Sequence, residues 1–490
     1  MAVTETVRPQ PASSVGAWDR EADVVVAGFG TAGSAAAAEA AAKGAEVLVL
    51  ERTSGWESAA GALAGGLIYM GGGTAIQKAC GFDDTPEHMF TFLMAAMGPG
   101  VDEDRCRVYC EESVDHFDWL VRCGVPFKPS FWEAPAWEPP LDDGLMYSGG
   151  ENAWPFNELV PPAPRAHVPQ MNDKKTGTRG GGWMLMKALT STALAAGAEV
   201  RYDTSVERLV VDGDGSVVGV IARSYGERVA LRARKGVVLA TGSFTYSDRL
   251  LANHTPWLIG RPGSAVEAHD GRSILMAQAV GGDVRHMDAY ECALGVDPQL
   301  LVRGILVNRQ GQRFINEDTY PGRIAHAVLR TQENDAFLVI DEESYEASPE
   351  PLRLRMLKLR PKWAAAAPAE LEADMGLPGG TLQATISVFN RHAEAGQDPV
   401  FHKASKWVRP LTGALGAIDL RGMSNGFTLG GLATTVDSEV RHVDGDPIPG
   451  LYAAGRASNG IPAWGYASGT SLGDSTFFGR RAGRAAARSS

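Results

Sequence analysis

The residues best suited to chemistry come early in the chain. In Asp23-Val-Val-Val-Ala-Gly28-Phe-Gly30-Thr-Ala-Gly33 the glycines follow the G-x-G-x-x-G spacing. Gly28 permits a tight turn, Gly30 lets backbone approach a pyrophosphate, and Gly33 lets the next helix pack close to a strand. Glu51 follows about twenty residues on, where an acid is placed to grip a ribose hydroxyl. Together these four residues point to a bound dinucleotide.

They need elements to hold them. Val24, Val25 and Val26 read as a parallel strand buried on both faces. Residues 34–42 are Ala-rich and read as a helix, so its free N–H groups and positive dipole end face the phosphates. A second strand, Glu46-Val-Leu-Val-Leu50, delivers Glu51. The small residues of Ser58-Ala-Ala-Gly61-Ala-Leu-Ala-Gly65-Gly66 and Met70-Gly-Gly-Gly73 cannot build a conventional core strand or helix. They suit backbone lying against something flat and rigid. Lys235-Gly-Val-Val-Leu-Ala240 is another buried strand, ending in Thr241-Gly242. Tyr466-Ala-Ser468-Gly-Thr-Ser471-Leu472-Gly473 opens a last helix reaching about residue 487, a second helix N-terminus directed at the ligand.

Between these lie helices over 87–97 and 103–122, with acids crowding their starts. Residues 124–179 are irregular and carry Phe131, Trp132, Trp137, Trp154 and Phe156, which suits a lid, a pocket wall or an aromatic satellite core. Residues 180–182 open a helix over 183–196, and hairpins turn at Asp212-Gly-Asp-Gly215 and Asp444-Gly445. From about residue 287 to 397 strands alternate with helices, as in an inserted α+β unit. The expected fold is α/β: a Rossmann-like dinucleotide-binding domain over 21–285 and 400–490, a smaller capping domain over 286–399, and a disordered tail over 1–20.

Composition narrows the partners. The chain has 490 residues, 44% hydrophobic and 21% charged, as in an ordinary soluble protein. A net charge of −12 with no Lys/Arg stripe makes nucleic acid a poor partner. No apolar run reaches transmembrane length. Five irregularly spaced cysteines read as reduced thiols of a cytoplasmic protein. Ten scattered histidines form no ligand pattern, so no metal is expected.

The fingerprint with Glu51, the Ala240-Thr-Gly242 strand end and Gly450-Leu-Tyr-Ala-Ala-Gly455 occur together. In that combination the chain resembles the FAD-dependent fumarate reductase and 3-ketosteroid dehydrogenase superfamily over nearly all its length after residue 20. The resemblance implies FAD contacts from Gly28, Gly30, Thr31, Ala32 and Gly33, from Glu51 and Arg52, and from Ser58, Ala59, Ala60, Ala64, Gly65 and Gly66. It adds Val206, Ala240, Thr241, Gly242, Gly455 and Arg456, with Ser471 and Leu472 at the pyrimidine edge of the flavin.

Departures from the fumarate reductase pattern bear on the substrate. Those enzymes clamp a dicarboxylate with arginines and a histidine, because anions need charge-assisted donors. Here Tyr466 stands in place of one clamping Arg, Phe427-Thr-Leu-Gly430-Gly431 lacks the His, and Asp318-Thr-Tyr320-Pro321 lacks the proton-donating Arg. A neutral, apolar substrate is implied. Tyr320, Tyr466 and Ser468 together, with Gly144-Leu-Met-Tyr-Ser-Gly149, resemble the 3-ketosteroid Δ4-(5α)-dehydrogenases. The implied reaction, in steroid catabolism, takes a proton from C4 and a hydride from C5 of a 5α-3-ketosteroid, giving a 4-ene-3-one and passing electrons to an external acceptor. Tyr466 would polarise the ketone while Ser468 and Tyr320 take the proton, or the tyrosines would exchange roles. The alternatives are Δ1-dehydrogenation, reduction of an unsaturated acid, and a flavin-binding protein without turnover.

Glu57-Ser-Ala-Ala60 lacks the superfamily's flavin-attaching His, so FAD is expected to be noncovalent. Acid precipitation of the yellow protein should leave all flavin in the supernatant; flavin retained in the pellet would contradict this.

Overall fold

The computed structural model describes residues 7–169, 180–261, 263–350 and 358–489. Parts of the expected tail (1–6) and aromatic segment (170–179) lie outside the described residues.

The fold is built on one sheet. Its central strand, β1 (Arg20–Ala27), leads through the glycine turn into α1 (Thr31–Ala42) and then β2 (Val47–Leu50). β1 and β2 run parallel with Val24–Ala27 opposite Val47–Leu50. Val24 and Val26 face one apolar core and Val25 the other, and all three are fully buried, as an unbroken valine run requires. β3 (Thr204–Val211) and β4 (Val217–Ser224) form the expected antiparallel hairpin. The long β5 (Glu227–Leu239) pairs antiparallel with β4 over its first half and parallel with β1 further along. It thus carries Ala240-Thr-Gly242 to the same sheet edge as the glycine turn.

A smaller unit is inserted after this sheet. Ile305–Asn308, Ala336–Asp341, Leu415–Asp419 and Trp363–Ala365 form an antiparallel sheet in that spatial order. β6 (Tyr290–Leu294) pairs antiparallel with β7 (Ser424–Thr428), and α2 (Pro321–Thr331) packs on β6. The chain returns through β8 (Pro447–Ala453), parallel to the end of β5, and finishes in α3 (Thr470–Arg488).

Three expectations change. Residues 7–20 are not a disordered tail: Gln10–Pro11 pairs parallel with Val210–Val211, and Asp19 exchanges backbone and carboxylate hydrogen bonds with Ala230. A free sheet edge supplied partners that local composition does not reveal. The inserted unit does not end at residue 399, because Leu415–Asp419 lies between two of its strands and β7 pairs with β6. Pairing across a long sequence separation, rather than the local pattern, decides that limit. Residues 124–169 are not wholly irregular: Phe131–Trp132, Leu145–Met146 and Ala166–His167 join Ile68–Tyr69 in a small sheet.

α1 and α3 cross at unusually close range. A Cβ on Gly479 would lie 2.5 Å from the Ala32 carbonyl oxygen, and one on Gly483 would overlap the Ala36 backbone. In an exposed helix Gly→Ala stabilises by about 1 kcal/mol. At Gly483 the sign should reverse: Gly483→Ala should lower the unfolding midpoint, and Gly483→Leu should cost about 2 kcal/mol or more. Thermal and denaturant unfolding of the FAD-loaded protein checks both.

Candidate active site

α1 and α3 both begin at one cavity of about 870 Å3, which runs from the main sheet to the inserted unit. Neither helix has a side-chain cap: Gly30 precedes α1, and Gly469, at φ +100°, precedes α3. Their first N–H groups are therefore available to a ligand. Nothing lies within 4 Å of the Cβ that Gly30 lacks, whereas one on Gly28 would lie 2.6 Å from the Ala240 carbonyl oxygen. Gly28 thus serves strand contact and Gly30 faces open space.

Of the positions expected to touch FAD, all but one line this cavity. The exception is Gly33, where a Cβ would overlap the Gly28 carbonyl oxygen. Gly33 lets the start of α1 lie against the glycine turn. The Glu51 carboxylate accepts the Phe29 N–H at 2.8 Å on Oε2, and the Thr53 N–H (2.9 Å) and hydroxyl (2.8 Å) on Oε1. It therefore braces the glycine turn as well as facing the cavity. Arg52 is held by Asp270 at 2.9 Å, and Thr241 donates to the Ser273 hydroxyl at 2.6 Å. This cradle fits a dinucleotide with a flat ring system: two uncapped helix N-termini, an acid at the end of β2 and a small-residue wall.

Where the cavity meets the inserted unit its wall is aromatic. Tyr320, Tyr466, Trp137, Phe427 and Trp464 cluster with Ala289 and Leu429. Tyr320 and Tyr466 rings are 6.5 Å apart, and Trp137 meets Tyr320 edge-on at 5.9 Å. Tyr320 comes from the residue before α2, whereas Tyr466 and Ser468 come from the loop entering α3. Three residues from two units thus meet, and Ser468 Oγ lies 3.0 Å from Tyr320 Oη. Tyr466 Oη accepts the Ser471 N–H at 3.3 Å, leaving its proton free to point into the cavity. Burial raises the pKa of both tyrosines, most strongly for Tyr320 beside Glu291. Both are neutral hydroxyls, not phenolates.

Sequence reasoning missed two supports. Ser148 donates its hydroxyl to the Ser468 carbonyl oxygen at 2.7 Å, and its own carbonyl accepts the Ser468 N–H at 2.9 Å. A Cβ at neighbouring Gly149 would lie 2.7 Å from that of Ala467. The segment noted for its resemblance is therefore the clamp that sets the Ser468 backbone. The second support is Glu291 on β6, which accepts the Tyr320 hydroxyl at 2.6 Å. No motif surrounds Glu291, and a single acid in an apolar strand is its only trace in the sequence. His269 also lines the cavity, and burial beside Arg456 and Arg52 lowers its pKa to about 3, so it is neutral. The aromatic segment contributes Trp132, Ala136, Trp137 and Glu138 to the cavity wall.

A family model described as an FAD binding domain matches residues 23–472. The chain belongs to the FAD binding domain family. It is similar to the crystal structure of a 3-ketosteroid-Δ4-(5α)-dehydrogenase from Rhodococcus jostii RHA1 in complex with 4-androstene-3,17-dione. The two are 62% identical, the match covers 98% of this chain and 100% of that one, and the TM-score is 0.96. A 3-oxo-5-alpha-steroid 4-dehydrogenase of Comamonas testosteroni is 27% identical, over 89% of this chain and 93% of that protein. A probable fumarate reductase of Shewanella frigidimarina is 27% identical, over 95% of this chain and 74% of that protein.

Glu51→Ala removes the acceptor of the Phe29 and Thr53 N–H groups as well as the acid expected to meet the ribose. Flavin occupancy should fall severalfold, while turnover per bound flavin stays near wild type. Full occupancy with lost turnover would show that the acid serves chemistry instead.

Proposed function

We propose that this FAD-dependent oxidoreductase converts 5α-3-ketosteroids to 4-ene-3-ketosteroids. The observation that carries the reading is the meeting of Ser468, Tyr320 and Tyr466 in one aromatic-walled cavity with the cofactor cradle. FAD held by the glycine turn and by the start of α3 would supply the hydride-accepting, oxidising chemistry.

The chain's own residues bind, polarise and deprotonate. The C4 hydrogens are acidified by the C3 ketone. Tyr466 has an uncommitted O–H and donates to the ketone oxygen, stabilising charge that builds there as C4 loses its proton. Tyr320 is instead committed to Glu291 and Ser468, which favours it as the proton relay behind Ser468. A serine hydroxyl alone is a weak base and needs such a partner. The aromatic wall suits a rigid apolar substrate, and Tyr466, Phe427 and Tyr320 stand where an anion clamp would need charge.

The fumarate reductase alternative is disfavoured by that missing clamp. Δ1-dehydrogenation is disfavoured by the 62% identity to a protein named for the Δ4-(5α) reaction. The reading includes noncovalent FAD and an external acceptor of quinone or dye type. It also includes a cytoplasmic location, supported by five free cysteines. No helix among the described residues is long and apolar enough to cross a membrane.

Under anaerobic conditions 5α-androstane-3,17-dione should bleach the flavin, and 4-androstene-3,17-dione should not, since its C4–C5 bond is already unsaturated. Rapid bleaching by the second compound would establish Δ1 chemistry. Tyr320→Phe, Tyr466→Phe and Ser468→Ala should each keep FAD and lose about a hundredfold in reduction rate. Near wild-type rates in both Tyr→Phe variants would refute the reading.

A further inference from the structure

Glu291 sits on β6, at the back of the aromatic wall, fully buried yet bordering the cavity. One of its oxygens takes the Tyr320 hydroxyl proton at 2.6 Å. The other, Oε2, is buried with no hydrogen-bond partner among the described residues. His326 Nε2, from α2, faces that oxygen at 3.8 Å and is itself unpartnered. A buried carboxylate at half its hydrogen-bonding capacity is costly, so a purely structural role explains it poorly. It stands at the end of a chain of hydroxyls that begins at Ser468, with Ser468 Oγ to Tyr320 Oη at 3.0 Å and Tyr320 Oη to Glu291 Oε1 at 2.6 Å.

We propose that Glu291 is the acceptor of the proton that leaves substrate C4, reached through Ser468 and Tyr320. This rests on the function proposed above. The C4–H bond breaks and its electron pair stays in the substrate as the C3–C4 enolate. The proton joins Ser468 Oγ as the serine's own proton passes to Tyr320 Oη and the tyrosine's proton passes to Glu291 Oε1. Ser468 and Tyr320 end unchanged, and Glu291 ends as a neutral acid. The spare oxygen then matters: the neutral acid leaves one oxygen to bond Tyr320 and needs no counter-charge. Once product leaves, the carboxyl borders an open cavity and returns its proton to solvent. Glu291 does not touch substrate in this scheme. It is a positioning residue that acts through Tyr320.

The surroundings set the pH range. Tyr320, Arg323 and His326 face Glu291 from the start of α2 and from α2 itself, Tyr466 faces it from the loop before α3, and Tyr290 and Cys292 flank it on β6. Burial lowers the His326 pKa to about 4, leaving that imidazole neutral. Desolvation outweighs the Tyr320 hydroxyl, the Arg323 charge and the Cys292 backbone N–H, and raises the Glu291 pKa to about 8. The accepting form is the carboxylate, so its population grows as pH rises through that value.

Stopped-flow reduction of the wild-type flavin by 5α-androstane-3,17-dione should speed up with pH, with a midpoint at about 8. Glu291→Gln keeps an oxygen for the Tyr320 hydroxyl but cannot take a proton. It should retain FAD and steroid binding, lose about a hundredfold in reduction rate and lose that pH dependence. Glu291→Asp should recover part of the rate and a pH-dependent limb. Infrared titration, which needs no turnover, should show a carboxylic acid C=O band in the wild type that disappears across the same midpoint and is absent in Glu291→Gln. A Glu291→Gln variant with wild-type rate, or a slowed one keeping the wild-type pH limb, overturns the proposal while leaving the steroid reading intact. Failure of the 5α-steroid to bleach the wild-type flavin overturns the steroid reading itself.

Discussion

The close crossing of α1 and α3 is the constraint on which the rest depends. It is made by glycine and alanine, because backbone of one helix touches backbone of the other at Ala32/Gly479 and Ala36/Gly483. The crossing joins the first helix of the chain to the last. Their uncapped N-termini consequently open on one cavity. One terminus suits a pyrophosphate and the other the edge of a flavin, so the fold offers two positive dipole ends to a single cofactor. A wider crossing would part the Gly28 turn from the Ser471-Leu472 amides.

The loop that enters α3 carries Tyr466 and Ser468, so the same crossing sets two of the three hydroxyls that meet at the aromatic wall. The third, Tyr320, arrives with the inserted unit. Its position depends on α2 packing on β6, and β6 also brings Glu291 to its hydroxyl. The polar groups here are few, buried and linked in a line, with aromatic rings around them. Low dielectric makes each link strong and keeps both tyrosines neutral.

The division into two units shares the site between them: the loop entering α3 carries Tyr466 and Ser468, and the inserted unit carries Tyr320. The main sheet supplies the cradle with short-range devices: a glycine turn, an acid at a strand end, helix termini. The inserted unit supplies one hydroxyl and its carboxylate partner. A change in the inserted unit can therefore alter the substrate without disturbing the cofactor, in keeping with relatives named for steroid dehydrogenation and for fumarate reduction.

Much of the cradle was legible in the sequence. A valine run, three spaced glycines and an acid need only local geometry, so Gly28, Gly30 and Glu51 declare their places. Tyr320, Tyr466 and Ser468 were legible only by resemblance, since a lone tyrosine or serine carries no spacing rule. Other features belong to the tertiary structure alone. The edge that captures residues 10–11, the strand 415–419 inside the cap sheet and the Ser148 clamp all pair residues distant in sequence. Glu291 is the sharpest case. In the sequence it is an acid in an apolar strand. Only folding, which buries it against Tyr320 and strips it of water, turns an ordinary carboxylate into one that titrates at about 8. Local backbone rules fix turns and strands from neighbouring residues, whereas desolvation depends on everything packed around a group.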